Sequence, residues 1–340
     1  MNYSLVFITS SFSFYKVNLF NELSKRKKIM VFCLGIDGSK RSPDFYNSKL
    51  DCDCIVLPSN YILAILMVLK FFISNNYQEV VLGGWDSLVG WLICLFSPKR
   101  KNSCIFESSI CESEVLGVKG KMKRFFLKRL HKAYPSGELQ TELLLKLEFE
   151  GQIVKYGGCG ILNYQPQPPY ERRSEVKKFL YVGRLAPEKN IELLIEVFSL
   201  FPDLHLTIIG EGESELKLKR MSATLSNVTF LGAIENIKLP FFYKEADVFI
   251  LPSKSEPWGL VVEEALNNGT PVIVSDKVGC SKDLVSSQTG VIFESENRDS
   301  LISSIIQICD IQKYNELRKG VSLMDFSERA RRQVESFLLE

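Results

Sequence analysis

In its second half the chain alternates short β-branched runs with patterns of helical period. KFLYVG (178–183), LHLTIIG (204–210), VTFLG (228–232), DVFILP (247–252), PVIVS (271–275) and TGVIF (289–293) read as strands, apolar almost throughout. Between them, stretches such as NIELLIEVFSLF and SELKLKRMSATL place apolar residues at helical spacing. Strands with little polar alternation, separated by helices, predict a parallel sheet covered on both faces. The first half repeats this less regularly, with strands near SLVFIT, KIMVFCL, CIVLP, EVVLGG, SCIFES and KAYPS. YILAILMVLKFFI (61–73) is an apolar run of thirteen residues interrupted by Lys70. It is too short to span a bilayer and predicts a buried helix.

The economical reading is two doubly wound α/β domains in tandem. The first covers 1–165 and a linker rich in Pro and polar residues covers 166–177. The second domain covers 178–320, and a closing helical segment, 321–340, packs back on the first. A length of 340 residues fits two domains, and 46% hydrophobic with 24% charged residues describes an ordinary folded chain. In such sheets ligands bind outside the C-terminal strand ends, so the two domains would present those ends across a cleft.

Charge refines this picture. Residues 1–170 carry 21 Lys/Arg against 14 Asp/Glu, and residues 171–340 carry 21 against 26, so the halves differ in sign (+7 and −5). Nine cysteines lie scattered without a CxxC pair, most of them within apolar runs, which predicts free thiols in a reducing cytoplasm. Two histidines, His131 and His205, are too few for a multi-histidine metal site, and no metal or cofactor is expected. The start, MNYSLVFITSSF, has no basic segment and no small-residue cleavage site, so no signal peptide is expected.

Candidate chemistry lies in loops after strands. GRLAPEKN (183–190) offers Arg184, a planar fork of donors, and Lys189, a mobile charge, just before a helix whose first amides and dipole also favour anions. SEPWGLVVEEALNNG (255–269) follows another strand. With a helix starting near Trp258, Glu256 lies ahead of it beside the amides of Gly259 and Leu260, and Glu264 lies on an apolar stripe where a buried carboxylate needs a partner. Glu263 reads as the more easily solvated neighbour. Eight helical residues would separate Glu256 from Glu264 by roughly 12 Å, too far for the carboxylate pair of a glycoside hydrolase. GEGESE (210–215) lacks the third glycine of a dinucleotide fingerprint and reads as a turn.

Together YVGRLAPEKNIELLIEVF, LTIIGEGE, VTFLGAI, the long segment LPFFYKEADVFILPSKSEPWGLVVEEALNNGTPVIVSDKVGCSKDLV, and TGVIF resemble the retaining glycosyltransferases of family 4. These enzymes have the GT-B architecture of two facing Rossmann-like domains. The resemblance covers most of 178–293, and Glu256 and Glu264 meet its E-x7-E signature. It implies a nucleotide-sugar donor, UDP- or GDP-linked, as co-substrate. Gly183, Arg184 and Lys189 would hold the diphosphate and Glu264 the ribose. Glu256 with the Gly259 and Leu260 amides would hold the transferred sugar, and Gly232 and Ala233 would flank the base. Arg184, Lys189 and Glu256 would carry the chemistry, commonly without a divalent metal.

SFSFYKVNLFNELSKR, VVLGGWDSLVGWLICLF and IFESSICE resemble the subset acting on cell-surface polysaccharides, but without the paired glycines of the opening loop. Glu107 stands where many members carry histidine. Acceptor-side roles are implied for Lys16, Trp85, Asp86 and Glu107, although Trp85 and Asp86 serve packing and helix capping equally well.

Residues 119–134 carry seven Lys/Arg and no acid, interleaved with aromatic and aliphatic residues. A helix with Lys121, Lys123, Arg124, Lys128 and Arg129 on its polar side and Phe125 and Phe126 inserted would rest on an anionic membrane. Alternatively its apolar side faces the core and its charges are solvated. No nucleic-acid recognition fold accompanies the cluster. The expectation is a cytoplasmic enzyme, peripheral on the inner face of the membrane, that extends a polyprenyl-diphosphate-linked saccharide in bacterial O-antigen or capsule assembly. A transferase with a soluble acceptor and a catalytically silent nucleotide-sugar-binding subunit remain as alternatives.

Overall fold

The computed structural model describes residues 1–35, 46 and 48–338. It divides into two compact units, residues 1–163 with 328–340, and residues 164–327.

The first unit is built from β1 (Asn2–Thr9), α1 (Phe14–Ser24), β2 (Ile29–Cys33), β3 (Asp53–Val56), α2 (Tyr61–Ser74) and β4 (Asn76–Leu82). It continues with α3 (Leu88–Phe96), β5 (Asn102–Phe106), α4 (Gly117–Leu127), β6 (Lys132–Pro135), α5 (Glu138–Lys146) and β7 (Gln152–Ile153). The two-residue edge strand β7 is too short to leave a pattern in the sequence. All pairings are parallel, in the order β3-β2-β1-β4-β5-β6-β7.

Alternate residues of β1 feed opposite faces of this sheet. Val6 and Ile8 join the core under α2, α3 and α4, while Leu5 and Phe7 join that under α1. Phe337 belongs to the second core and lies over the Tyr134 ring at 4.4 Å between centroids.

The second unit repeats the plan with β8 (Lys178–Val182), α6 (Ile191–Phe198), β9 (His205–Ile209), α7 (Glu215–Met221), β10 (Val228–Gly232) and α8 (Leu239–Glu245). Then follow β11 (Val248–Leu251), α9 (Leu260–Asn267), β12 (Val272–Ser275), α10 (Ser281–Leu284), β13 (Gly290–Phe293), α11 (Arg298–Cys309) and α12 (Ile311–Ser322). Its parallel order is β10-β9-β8-β11-β12-β13. The last helix, α13 (Phe326–Ser336), leads from this unit into the residues that complete the first.

Both sheets reverse their winding at one place. In the first unit the chain proceeds outward from β1 and returns beside it at β4; in the second it does the same at β8 and β11. Loops leaving neighbouring strands in opposite directions open a crevice at the C-terminal strand ends.

The fold corrects one reading of the sequence. The apolar helix α2 buries only Ala64 and Val68, while Ile62, Leu66 and Ile73 are exposed by 72%, 59% and 85%. A helix lying on one face of a sheet offers it a single stripe. Here the stripe at 64 and 68 faces the sheet and the opposite apolar side has nothing to cover it among the described residues.

Candidate functional site

The loop after β8 and the loop after β11 leave adjacent strands at the reversal point of the second sheet. Arg184 and Lys189 come from the first loop and Glu256 from the second. Lys189 donates through Nζ to Glu256 Oε2, in a short contact between two largely buried side chains. Arg184 donates to Glu188, four residues on in sequence and at the surface. The two cations expected to hold an anion thus lie on one loop, each engaged by a carboxylate that an anionic ligand would displace or share.

Backbone close approaches shape this corner. Gly210, with φ of 135°, lies against the first loop so tightly that an added Cβ would sit 1.9 Å from the Gly183 carbonyl oxygen. Leu185 N donates to the Glu211 carbonyl at 2.9 Å, and Ser214 N to the Leu185 carbonyl at 2.9 Å. GEGESE therefore braces the arginine loop as well as turning into α7. The Glu211 carboxylate also accepts from Ala233 N at 3.4 Å, beside Gly232.

Helix α9 begins at Leu260, two residues later than the sequence pattern places it, because Gly259 adopts a left-handed conformation (φ 100°) as its N-cap. A Cβ at Gly259 would lie 2.9 Å from Val278 Cγ1. Glu256 is paired to the Val278 segment through the Gly279 N to Glu256 O bond of 2.9 Å. The glutamate is thus fixed ahead of a helix start, whose first amides have no intrahelical acceptor.

Glu264, on the first full turn of α9, accepts from the Tyr243 hydroxyl at 2.7 Å. Burial pushes its carboxyl up to about 7; the Tyr243 hydrogen bond opposes this and the Glu263 charge adds to it. Tyr243 reaches the site from α8, and nothing in the local pattern around 264 indicates it. Glu263 corrects the sequence reading: it is 2% exposed and accepts from the Trp258 indole at 3.0 Å. A buried indole N–H needs an acceptor, so Glu263 anchors the helix start and is not a solvated charge.

In the first unit, Lys16 and Glu107 meet as a 3.0 Å ion pair with little exposure. Burial alone would lower the Lys16 pKa, but Glu107 overrides it and holds the ammonium above the ordinary lysine value. Trp85, in the loop after β4, packs on Phe106 at 5.1 Å, and Lys123 Nζ lies 4.7 Å from its ring centroid. Partial burial pushes the Lys123 ammonium below the ordinary lysine value, and the Asp86 charge opposes this. Asp86 does not cap α3: Ser87 does, accepting from Gly90 N at 3.1 Å.

The basic helix is also redrawn. Phe126 is fully buried and packs 4.8 Å from Trp91, so it faces the core and not a membrane. Arg129 donates to the Leu95 carbonyl at 3.0 Å and Arg124 to the Val115 carbonyl at 3.1 Å, tying α4 to its neighbours. Lys121, Phe125 and Lys128 face outward. No helix among the described residues is long and apolar enough to cross a membrane.

Residues 167–331 match the family of glycosyl transferases group 1. An uncharacterized glycosyltransferase of Methanocaldococcus jannaschii, MJ1607, is 35% identical over 135 residues, 38% of this chain and 35% of that protein. The O-antigen biosynthesis glycosyltransferase WbnH of Escherichia coli is 36% identical over 121 residues, 35% of each. The chain thus spans about a third of the length of these curated relatives. Among solved structures, Alr3699/HepE of Anabaena in complex with UDP and glucose superposes with a TM-score of 0.72, at 14% identity, over 98% of both chains. The chain therefore has the GT-B fold of two parallel-sheet α/β domains, and its residues 167–331 are similar to the group 1 glycosyl transferases.

Proposed function

We propose that the protein is a retaining glycosyltransferase that moves a sugar from a UDP- or GDP-sugar to a polyprenyl-diphosphate-linked saccharide at the inner face of the cytoplasmic membrane, in O-antigen or capsule assembly. The observation that carries this is the contact of Lys189 with Glu256 at the reversal point of the second sheet, with Arg184 on the same loop as Lys189 and Glu264 on the helix that follows Glu256. The name of WbnH supports the polysaccharide context, and the UDP and glucose bound by Alr3699/HepE support the donor class.

In this reading the diphosphate takes Arg184 from Glu188 and shares Lys189 with Glu256. Charge develops on the leaving phosphate as the bond from the anomeric carbon to its oxygen breaks, and fixed cations there stabilise it more in the transition state than in the ground state. Glu256 and the amides at the start of α9 orient the transferred sugar, and Glu264 accepts from the ribose hydroxyls. The acceptor oxygen bonds to the anomeric carbon on the face the leaving group vacates, and its proton passes to the departing phosphate oxygen. No metal is assigned a step.

A thermal-shift panel of UDP-, GDP-, ADP- and TDP-sugars tests the reading, since a ligand that binds only the folded protein stabilises it. Arg184→Ala should weaken all nucleoside diphosphates alike, and Glu256→Ala should weaken discrimination among sugars. Equal losses in both variants would sink the assignment of roles. Transfer to a soluble sugar with no activity on lipid-linked acceptor would replace the acceptor, and binding without turnover on any acceptor pool would replace catalysis with a carrier role.

A further inference from the structure

We infer that the outer side of the layer formed by α2, α3 and α4 is a docking face for an anionic lipid bilayer. Ile62, Leu66 and Ile73 on α2, Phe96 on α3, and Met122 and Phe125 on α4 are each more than half exposed, between 52% and 85%. The three helices cover the same core of the first sheet. They form one layer: α2 packs against α3, and the Phe125 ring on α4 stacks on Trp91 of α3 at 6.3 Å and 12° between planes. Such a contiguous apolar area on a soluble unit marks an interaction site.

The charges say what covers it. The sequences of α2, α3 and α4 contain no Asp or Glu. Lys70 on α2, Lys99 and Arg100 in the turn after α3, and Lys121 and Lys128 on α4 are exposed and have no carboxylate partner among the described residues. Elsewhere on the surface the pattern is the opposite: on α13, Arg331 bridges Glu328 and Glu335, and Arg332 meets Glu328. Lys119 and Arg124 on α4 do pair, with Glu114 and Glu148 from outside the three helices. Apolar side chains beside five cations without a carboxylate partner, on helices that carry no acid, match the boundary of an anionic leaflet: the side chains enter the acyl region and the cationic groups meet phosphates. A protein partner would have to be both apolar and acidic over the same area.

This deepens the membrane part of the function proposed above and gives the docking role to α2 and α3 together with the outward half of α4. It is independent of the sugar chemistry. The test is flotation of the full chain with vesicles of phosphatidylglycerol and phosphatidylcholine, and with phosphatidylcholine alone. Binding is expected only to the anionic vesicles and should fall with salt. Leu66→Asp with Ile73→Asp should weaken it at least tenfold. Each of Lys121→Ala, Lys128→Ala and Arg100→Ala should weaken it by about fivefold, from the usual contribution of a cation near such a surface.

Both sets change exposed positions, and circular dichroism with an unchanged UDP-sugar thermal shift confirms that fold and donor site are intact. Failure of the wild type to float with anionic vesicles, or undiminished binding by the aspartate pair, overturns the inference and leaves the donor-site reading standing. A stable dimer that the aspartate pair dissolves, with no vesicle binding, overturns it in favour of a second copy of this chain on the same face.

Discussion

The two units share one winding and carry a Lys–Glu pair each, but they use it differently. In the first, Lys16 and Glu107 close on each other with little exposure, next to the apolar side chains of β1 and α1. In the second, Lys189 and Glu256 meet among loops that glycines hold open: Gly210 passes within contact of Gly183, and Gly259 turns left-handed ahead of α9. The two pairs are buried to a similar degree, and what sets the second apart is the helix start that adjoins it. In the proposed reading it is the backbone around the second pair that suits it to a ligand, since oriented amides and a helix start hold an anion that two side chains alone would not.

The largest effect should come from filling that backbone corner. Gly210→Val places a Cβ where the Gly183 carbonyl oxygen already sits, in a left-handed conformation that side chains resist. We expect a loss of about 4 kcal/mol or more in denaturant unfolding, with nucleotide-sugar binding abolished and vesicle binding retained. A variant that still binds donor would mean that the glycine approach is incidental and the two units differ in side chains only.

Glu264 gives the next largest effect and reveals itself by pH. Its carboxyl stands near 7 in the folded protein against 4.5 ordinarily, so the folded state holds the proton more tightly than the unfolded chain. Stability from this group is fully present below about pH 4.5 and is lost as pH rises through about 7, roughly 3 kcal/mol in all. Glu264→Gln should therefore melt higher than wild type at pH 8 and converge with it near pH 4.5. Ribose hydroxyls donate best to the ionised carboxylate, so donor affinity of the wild type should rise with pH through 7 and that of the variant should stay flat. A flat wild-type profile would remove Glu264 from the ribose.

These residues also show what the sequence disclosed. The parallel, doubly wound plan of both units followed from apolar runs separated by helices, because strands covered on both faces lose their polar alternation; the strand order came from the structure. The placement of Arg184, Lys189, Glu256 and Glu264 on the fold was legible because each lies near a recognisable strand end or helix start. Tyr243 was not, since it arrives from α8 by tertiary packing and bonds across 21 residues of chain. Glu263 was misread because its partner, the Trp258 indole, becomes visible only once Gly259 bends the chain back. The exposure of α2 was misread for a different reason. An apolar run reports that the residues leave water somewhere, and not that the protein itself covers them.

The two lysines give a direct contrast of smaller size. Lys16→Met leaves Glu107 without its cation in a mostly enclosed place and should cost about 2 kcal/mol of stability, with no change in donor affinity. Lys189→Met leaves Glu256 in a similarly enclosed place and should cost a similar amount, yet it should also weaken UDP binding about tenfold, since a charge-assisted contact to phosphate is lost. Isothermal titration beside denaturant unfolding separates the two. If both variants lose stability alike and neither loses UDP affinity, the second pair is as structural as the first.

The smallest effect concerns Glu188, which holds Arg184 four residues away in the loop at the surface. Exposed ion pairs contribute about 0.2 to 1 kcal/mol, so Glu188→Gln should barely move the unfolding midpoint. The same small quantity has to be overcome whenever a diphosphate draws Arg184 away, so UDP should bind the variant about twofold more tightly at low salt. Repulsion between Glu188 and the phosphates adds to this in the same direction, and both contributions fade as salt screens exposed charges. An affinity gain that vanishes at about 0.5 M salt would mark Glu188 as a resident competitor for the arginine. Weaker binding in the variant would instead mean that the carboxylate holds the guanidinium in the geometry the phosphate needs, so that the Arg184 pair serves the site by order and not by opposition.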